Sequence, residues 1–140
     1  MKPACRLLFS VFSILLLTLL AGCVHAPMSA LQGHWSGYVV DRPDYKCGLA
    51  ISGSQIDYRG ADPSDWGGGP FVLRADTKPI QMDVSLRQMG VESYVGKTAL
   101  LILQLDGKEM KAAVAEPGTG QRPASFNPAD GWRVFVLKHD

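Results

Sequence analysis

The chain of 140 residues is nearly neutral, with 14 Lys and Arg against 13 Asp and Glu and a formal net charge of +1. No basic run follows the first few residues, which argues against nucleic acid as a partner, because that binding depends on a positively charged surface. The length is that of one domain with a modest core.

The first 22 residues have the form of a secretory signal peptide, in which Lys2 and Arg6 precede the apolar stretch Leu7–Leu20. This stretch of 14 residues is shorter than the roughly 20 that cross a membrane as a helix. It ends at Leu20-Ala21-Gly22-Cys23, which resembles the bacterial lipoprotein signal. The resemblance implies that Cys23 is acylated, becomes the new amino terminus and anchors the exported protein in the cell envelope. That would be the periplasmic side of the outer membrane in a Gram-negative source. The alternative is an ordinary secretory signal with a chance cysteine.

The processed chain has a tether over residues 23–30 and a domain over residues 31–140. Without Lys2 and Arg6 it carries 12 basic residues against 13 acidic ones, a net charge of about −1. The lipoprotein resemblance implies that Cys5 leaves with the signal and that Cys23 carries lipid, which would leave Cys47 as the one thiol and predicts no intrachain disulfide. We interpret Cys47 as a half-buried strand residue that acts as a small hydrophobe. The alternative is a reactive or intermolecular thiol.

From Leu31 onward, short apolar segments alternate with turns, and the 15 Gly and 9 Pro interrupt any helical spacing. Two longer stretches, Gly60–Pro70 and Pro117–Gly131, are predicted to be loops. We predict an all-β fold, an antiparallel meander barrel of about eight strands. The predicted strands are Gly33–Val40, Lys46–Ser52, Gln55–Tyr58, Phe71–Ala75, Ile80–Leu86, Ala99–Leu105, Lys108–Val114 and Arg133–Lys138.

The central feature of the prediction is a β-hairpin with Asp106-Gly107 as its two turn residues, a strong signal for a type I′ turn. That register pairs Leu105 with Lys108 and Leu103 with Met110. Because side chains alternate between the faces of a strand, one face is predicted to be the core. It carries Leu101, Leu103, Met110, Ala112 and Val114.

Five pieces in order resemble an uncharacterised family of small lipocalin-like domains of planctomycete-type bacteria. They are Leu31-Gln32-Gly33-His34-Trp35, Lys78-Pro79-Ile80-Gln81-Met82-Asp83, Leu105-Asp106-Gly107, Arg122-Pro123-Ala124-Ser125-Phe126 and Phe135-Val136-Leu137-Lys138. The resemblance implies a lipocalin-like barrel and an export signal, and it implies no established activity. The family usually has a glycine and a tyrosine where Leu101 and Leu103 stand, so a ligand site built on that tyrosine does not carry over. The family turn usually reads Gly-Asp, where Gly107-Lys108 stands here.

Gly33-His34-Trp35 is also similar to the Gly-x-Trp with which lipocalins begin their first strand. In those proteins the tryptophan closes one end of the barrel and a late arginine packs on it. The resemblance implies these structural roles for Trp35 and for Arg133, which begins the last predicted strand.

The candidate binding residues at the mouth of the barrel are Trp66, Arg122 and Phe126. Trp66 precedes Gly67-Gly68-Gly69, which we interpret as a flexible rim loop. Arg122 is placed to bind an acidic ligand. In the alternative that we favour, Phe126 plugs the barrel end while Arg122 binds carbonyl groups of its own loop.

Leu100 and Ile102 point outward in the predicted hairpin and form a candidate interaction patch, because adjacent exposed apolar residues often mark a contact. Three partners are open: the loop Pro117–Gly131, a second copy of the domain, or another envelope protein.

No catalytic or metal-binding pattern is present. His25, His34 and His139 lack the paired spacing of zinc ligands, and Asp62, Asp65 and Asp76 lack the spacing of a calcium loop. The serines lack a Gly-x-Ser-x-Gly setting. We therefore expect neither an enzyme nor a cofactor.

Two functions remain: a lipid-anchored carrier of a small apolar or amphipathic ligand, and a protein-interaction or structural module. Interior volume separates them. If Trp35, Met82, Leu101, Leu103, Met110 and Phe126 all point inward they fill the barrel, which slightly favours the interaction module.

Overall fold

The structure, a computed structural model, describes residues 26–140. The predicted signal peptide, the predicted lipidation site Cys23 and His25 lie outside the described residues. None of the helical segments in residues 26–140 has the length and apolar character that a membrane-crossing helix requires.

Eight strands form one closed antiparallel β-barrel, and a ninth short strand is added to it, which confirms the predicted all-β barrel. Each barrel strand pairs with the next one along the chain, and the last pairs with the first. The short strand Gln88–Met89 is additional to these eight and pairs with the first residues of the strand Trp66–Arg74. The strands are β1 (Gly33–Val39), β2 (Arg42–Ser52), β3 (Gln55–Gly60), β4 (Trp66–Arg74), β5 (Ile80–Ser85), β6 (Gln88–Met89), β7 (Thr98–Asp106), β8 (Glu109–Val114) and β9 (Arg133–His139).

The hairpin between β7 and β8 turns one residue later than predicted. Asp106 pairs with Glu109, so the turn residues are Gly107 and Lys108, and Gly107 takes the left-handed backbone conformation with φ of 60°. Leu103 therefore pairs with Ala112 instead of Met110. Every partner changes by two positions, and a shift of two keeps each side chain on its face. The predicted register is wrong, but the predicted inward face is right.

The stretch Gly67-Gly68-Gly69 is not a flexible rim loop. It belongs to β4, and all three glycines are buried between β3 and the chain that leads into β6. A Cβ at Gly69 would overlap the carbonyl oxygen of Ser85, and one at Gly68 would overlap that of Ile56. The glycines are needed because neighbouring backbone passes too close for a side chain, so composition alone was misleading here.

One end of the barrel is closed by the chain before β1. Residues 26–31 are helical, and Leu31 is fully buried in the barrel core. Gln32 holds this segment to the turn between β2 and β3 through hydrogen bonds with the backbone of Gly53. Residues 26–30 were predicted to be part of a tether, but they are folded against this end of the barrel. We call it the closed end.

The other long predicted loop is confirmed: no strand interrupts the chain between β8 and β9, which contains one short 3-10 turn at Pro128–Asp130. This loop runs over the outside of the barrel. Its Phe126 and Trp132 pack with Val40 on a small outer cluster made by Ile102, Ala113 and Val134. The molecule therefore has a large core inside the barrel and a small one outside it.

Candidate functional site

The barrel is hollow. A cavity of about 450 Å³ lies inside it, and its wall comes from alternate residues of β2, β3, β5, β7, β8 and β9. Such alternation is what a closed barrel requires, because every second side chain points inward. The apolar wall comprises Cys47, Leu49, Ile51, Ile56, Met82, Val84, Leu86, Ala99, Leu101, Leu103, Met110, Ala112, Val114, Ala115, Phe135 and Leu137.

The space exists because small residues stand at several inward positions. Ala99, Ala112 and Ala115 line it, as do Gly67 and Gly68. Of the six residues predicted to fill the barrel, Met82, Leu101, Leu103 and Met110 do line the cavity. Trp35 is buried beside the helical segment, and Phe126 lies outside the barrel. The condition stated for a filled barrel is therefore not met, because Phe126 does not point inward.

The cavity opens at the end opposite the closed one. Here its lining includes exposed loop residues, among them Ser64, Val91, Glu116 and Gly131, whereas Met110, Leu103 and Leu137 at the other end are almost fully buried. We call this open end the mouth. The cavity is therefore an apolar pocket that opens at the mouth.

A cluster of four polar side chains occupies one side of the mouth. Asp65 accepts hydrogen bonds from Tyr45 Oη at 2.7 Å and Tyr58 Oη at 2.8 Å. Arg133 adds two more, from its Nη1 to Oδ1 at 3.2 Å and from its Nη2 to Oδ2 at 3.0 Å. We call these residues the mouth cluster, and it joins β2, β3 and β9 to the loop that precedes β4.

The pKa values in the mouth cluster favour an ion pair between Asp65 and Arg133. Burial opposes ionisation of Asp65, but the hydrogen bonds from Arg133, Tyr45 and Tyr58 outweigh it and hold the pKa of this carboxyl below its usual range. Burial and the hydrogen bond that it donates to Asp65 raise the pKa of Tyr58. Asp65 is therefore charged and Tyr58 neutral at ordinary pH.

Cys47 is the one thiol in the described residues, and it is buried and lines the cavity. Burial raises its pKa to about 11, against the lowering effect of Arg133. Because the thiolate is the reactive form, Cys47 is a slow nucleophile. Cys47 lies on β2 as predicted, but it is buried and not half-buried.

The three residues predicted at the mouth do not lie together. Trp66 begins β4, is half-buried and lines the cavity near its entrance. Arg122 and Phe126 lie on the outside of the barrel, so their predicted place at the mouth is wrong, and Phe126 is not a plug.

Arg122 fastens the long loop to the barrel wall. Its guanidinium pairs with Asp83 at 2.5 Å and donates to the carbonyl oxygen of Leu101 at 2.9 Å. Asp83 also pairs with Arg74 at 2.9 Å. The prediction that Arg122 binds carbonyls of its own loop is wrong as well, because its partners belong to β5 and β7. Both arginines are committed to Asp83, which leaves Arg122 a structural role.

Trp35 and Arg133, which were predicted to pack on each other, lie at different ends of the barrel. Trp35 is 1% exposed, and its Nε1 donates to the carbonyl oxygen of Leu31 at 2.8 Å. The ring that packs on it is His139, edge to face at 4.8 Å between centroids. Arg133 begins β9 six residues before His139, roughly 20 Å away along the strand. Trp35 therefore belongs to the closed end, and Arg133 does not pack on it.

The candidate interaction patch is covered, at least at Ile102. This residue is 3% exposed because Phe126 and Trp132 pack near it, and Leu100 is half-buried. Of the three partners predicted for this patch, the chain's own loop is therefore the one that contacts Ile102.

We expect Leu100→Ser combined with Ile102→Thr to lower the free energy of unfolding by about 1–2 kcal/mol, because apolar area is lost beneath the loop. The measurement is urea unfolding, and sedimentation should show no change in association. A variant that keeps full stability but loses a dimer would contradict this result and make the patch a partner surface.

Within residues 26–140, no three His, Cys, Asp or Glu side chains come together in a way that could hold a metal ion. The sequence pattern gave Asp65 no role beyond excluding a calcium loop, and it did not identify Tyr45 or Tyr58. The alternation of Tyr58 with exposed Asp57 and Arg59 signals an inward side chain, but nothing local to Asp65 indicates a partner 68 residues away.

Comparison with protein-family models, with curated proteins and with solved structures finds no match to this chain.

Proposed function

We propose that this protein binds one small apolar or amphipathic molecule inside its barrel while a lipid on Cys23 holds it in the cell envelope. The single observation that carries the proposal is the apolar cavity of about 450 Å³ that opens at the mouth. Ligand sites in proteins are typically concave, largely apolar and about 300–1,000 Å³ in volume. The protein is a carrier or sensor in this proposal and has no catalytic role.

The sequence slightly favours the interaction module, on the condition that six inward residues fill the barrel, and it leaves open a partner surface at Leu100 and Ile102. Neither holds in the described residues, so the carrier is the better supported of the two. A ligand of about 20 non-hydrogen atoms that gains about 0.3 kcal/mol per atom would have a dissociation constant on the order of tens of micromolar.

The proposed anchor would set the direction of the mouth. Only Val24 and His25 separate Cys23 from Ala26, and three chain steps span at most about 11 Å. Since the segment that begins at Ala26 packs against the closed end, the closed end would face the bilayer. The mouth would open away from the anchoring membrane, toward other molecules of the envelope.

Replacing Cys23 by Ala should abolish the anchor, because diacylation needs the thiol, and two or more acyl chains are what make such binding stable. We expect the variant to stay as the unprocessed precursor and to carry no acyl chains by mass spectrometry. The wild type should fractionate with membranes after a carbonate wash. Normal processing of Cys23→Ala would show that an ordinary secretory signal is at work.

Replacing Leu101 by Trp should abolish ligand binding, because the indole would occupy the cavity. Leu100→Trp is the matched control, since the same side chain one residue away lies on the outer face. Native mass spectrometry of the lipoprotein purified from its own membrane should find a small molecule bound to the wild type and to Leu100→Trp but not to Leu101→Trp.

A second readout is the rate at which N-ethylmaleimide modifies Cys47, which lies in the cavity wall. A bound ligand should slow it. If the wild type carries no small molecule and decan-1-ol leaves this rate unchanged, the proposal fails.

A further inference from the structure

We infer that the barrel selects a neutral amphiphile, such as a long-chain alcohol or ester, and rejects the free fatty acid of the same chain length. The inference rests on the proposed function and names the ligand class of that cavity. It follows from the charged side chains that line the cavity and from the ion pair and hydrogen bonds that they already make within the protein.

Arg133 is the only cationic residue among those that line the cavity in the described part of the chain. Both of its terminal nitrogens donate to the carboxylate of Asp65, at 3.2 and 3.0 Å. Its guanidinium also lies over the rings of Tyr45, Tyr58 and Phe135 at 5.4–5.9 Å. The charge that an anionic head would need is therefore neutralised by the protein itself.

Asp65 is held too firmly to give way to a second carboxylate. The hydroxyls of Tyr45 and Tyr58 both donate to its Oδ2. Its backbone is also bonded at both ends, since Gly60 N donates to its carbonyl oxygen and its own N donates to Asp62 O. Gly60 lies so close that a Cβ there would overlap Oδ2 of Asp65. A competing anion would have to break this whole set of contacts.

The rest of the mouth is also unfavourable for an anion. Glu116 lines the cavity, and its Oε1 accepts a hydrogen bond from Tyr94 Oη at 2.9 Å. Asp65, Glu116 and Arg133 together leave the lining with one net negative charge. Lys97 lies over the Tyr94 ring with Nζ 5.6 Å from its centroid, but it is exposed and outside the lining. An anion that reached Lys97 would leave its head in water.

A neutral head meets no such penalty. A hydroxyl can donate to the exposed carboxylate of Glu116 and accept from an Arg133 N–H that does not point at Asp65, since a guanidinium has five donors. A carboxylate drawn into the mouth would be desolvated beside two others, with no unpaired cation among the described residues that line the cavity, which is strongly unfavourable. The chain of either molecule would fill the same apolar pocket.

The test compares decan-1-ol with decanoate, which share a chain and differ in the head. The lipidated protein is anchored in phosphatidylcholine vesicles at pH 8, the free concentration of each compound is measured, and protection of Cys47 from N-ethylmaleimide reports occupancy. We expect decan-1-ol to protect at a concentration about tenfold or more below that of decanoate.

Asp65→Asn should release Arg133 and improve protection by decanoate about tenfold while changing decan-1-ol little. Asp62→Asn is the matched control, because this neighbouring carboxylate bonds to Ser64 and not to Arg133. Each variant is compared with and without ligand, since Asp65 also affects the reactivity of Cys47.

Equal protection of the wild type by both compounds, or better protection by decanoate, would overturn the inference and leave the proposed carrier function standing. No protection by either compound would instead count against the proposed function. If Asp65→Asn does not fold, the ratio measured on the wild type decides the matter alone.

Discussion

Replacing Leu103 by Asp should lower the free energy of unfolding by about 3–5 kcal/mol, a large part of the roughly 5–15 kcal/mol that stabilises a domain. Leu103 is 2% exposed, between Ile80 of β5 and Ala112 of β8. The new carboxylate would be buried in an apolar wall, and the one cation among the described lining residues is already paired with Asp65.

The matched control is Gln104→Asp, the same substitution one position later. Gln104 is exposed on the outer face and stands opposite Lys111, so the new charge gains a partner and stays in water. Urea unfolding followed by circular dichroism should separate the two variants by several kcal/mol. Similar losses in both would mean that the inward face of β7 has been assigned incorrectly.

The inward face of β7 could be predicted from the sequence although the turn residues could not. A register shift of an even number of residues leaves every side chain on the same face of its strand. Asp106 extends β7 and Gly107 takes the left-handed position, so the turn differs from the prediction while Leu101, Leu103, Met110 and Ala112 still face inward. The closed meander was predictable for a similar reason, since regularly spaced short strands can pair with their neighbours.

What local pattern could not supply is contact between residues far apart in the chain. The composition of residues 66–70 predicts a loop, but these residues belong to β4. Their glycines allow the backbone of β3 and of Ser85 to approach closely. Phe126 reads as a plug, yet it packs on Ile102 because Arg122 fastens its loop to Asp83. The hollow interior likewise depends on the sum of small residues from several strands, and no single strand indicates it.

The mouth cluster likewise joins residues far apart in the chain, and replacing its arginine is expected to cause the second large loss of stability. Arg133→Met should lower the free energy of unfolding by about 2–3 kcal/mol at pH 7, because Asp65 would lose two charged hydrogen bonds and three aromatic rings would lose their cation. The loss stays below that of a fully buried pair because the Arg133 side chain is 36% exposed and water screens it.

The same variant should show a distinct pH dependence. The folded pKa of Asp65 is lowered, so its contribution to stability is present above the unfolded pKa, about 3.9, and is lost as pH falls through the folded value. Removing Arg133 takes away the first of the interactions that lower this pKa. The difference in stability between wild type and Arg133→Met should therefore be largest near neutral pH and shrink below about pH 4.

Arg59→Met is the control, since Arg59 is exposed and neighbours inward-facing Tyr58 on β3, so its side chain points outward. It should change stability by less than about 0.5 kcal/mol at every pH. Urea unfolding from pH 3 to 7 measures all three proteins. A loss in Arg133→Met that is the same at pH 3 and pH 7 would show that packing of the arginine stem, and not its pairing with Asp65, stabilises this side of the mouth.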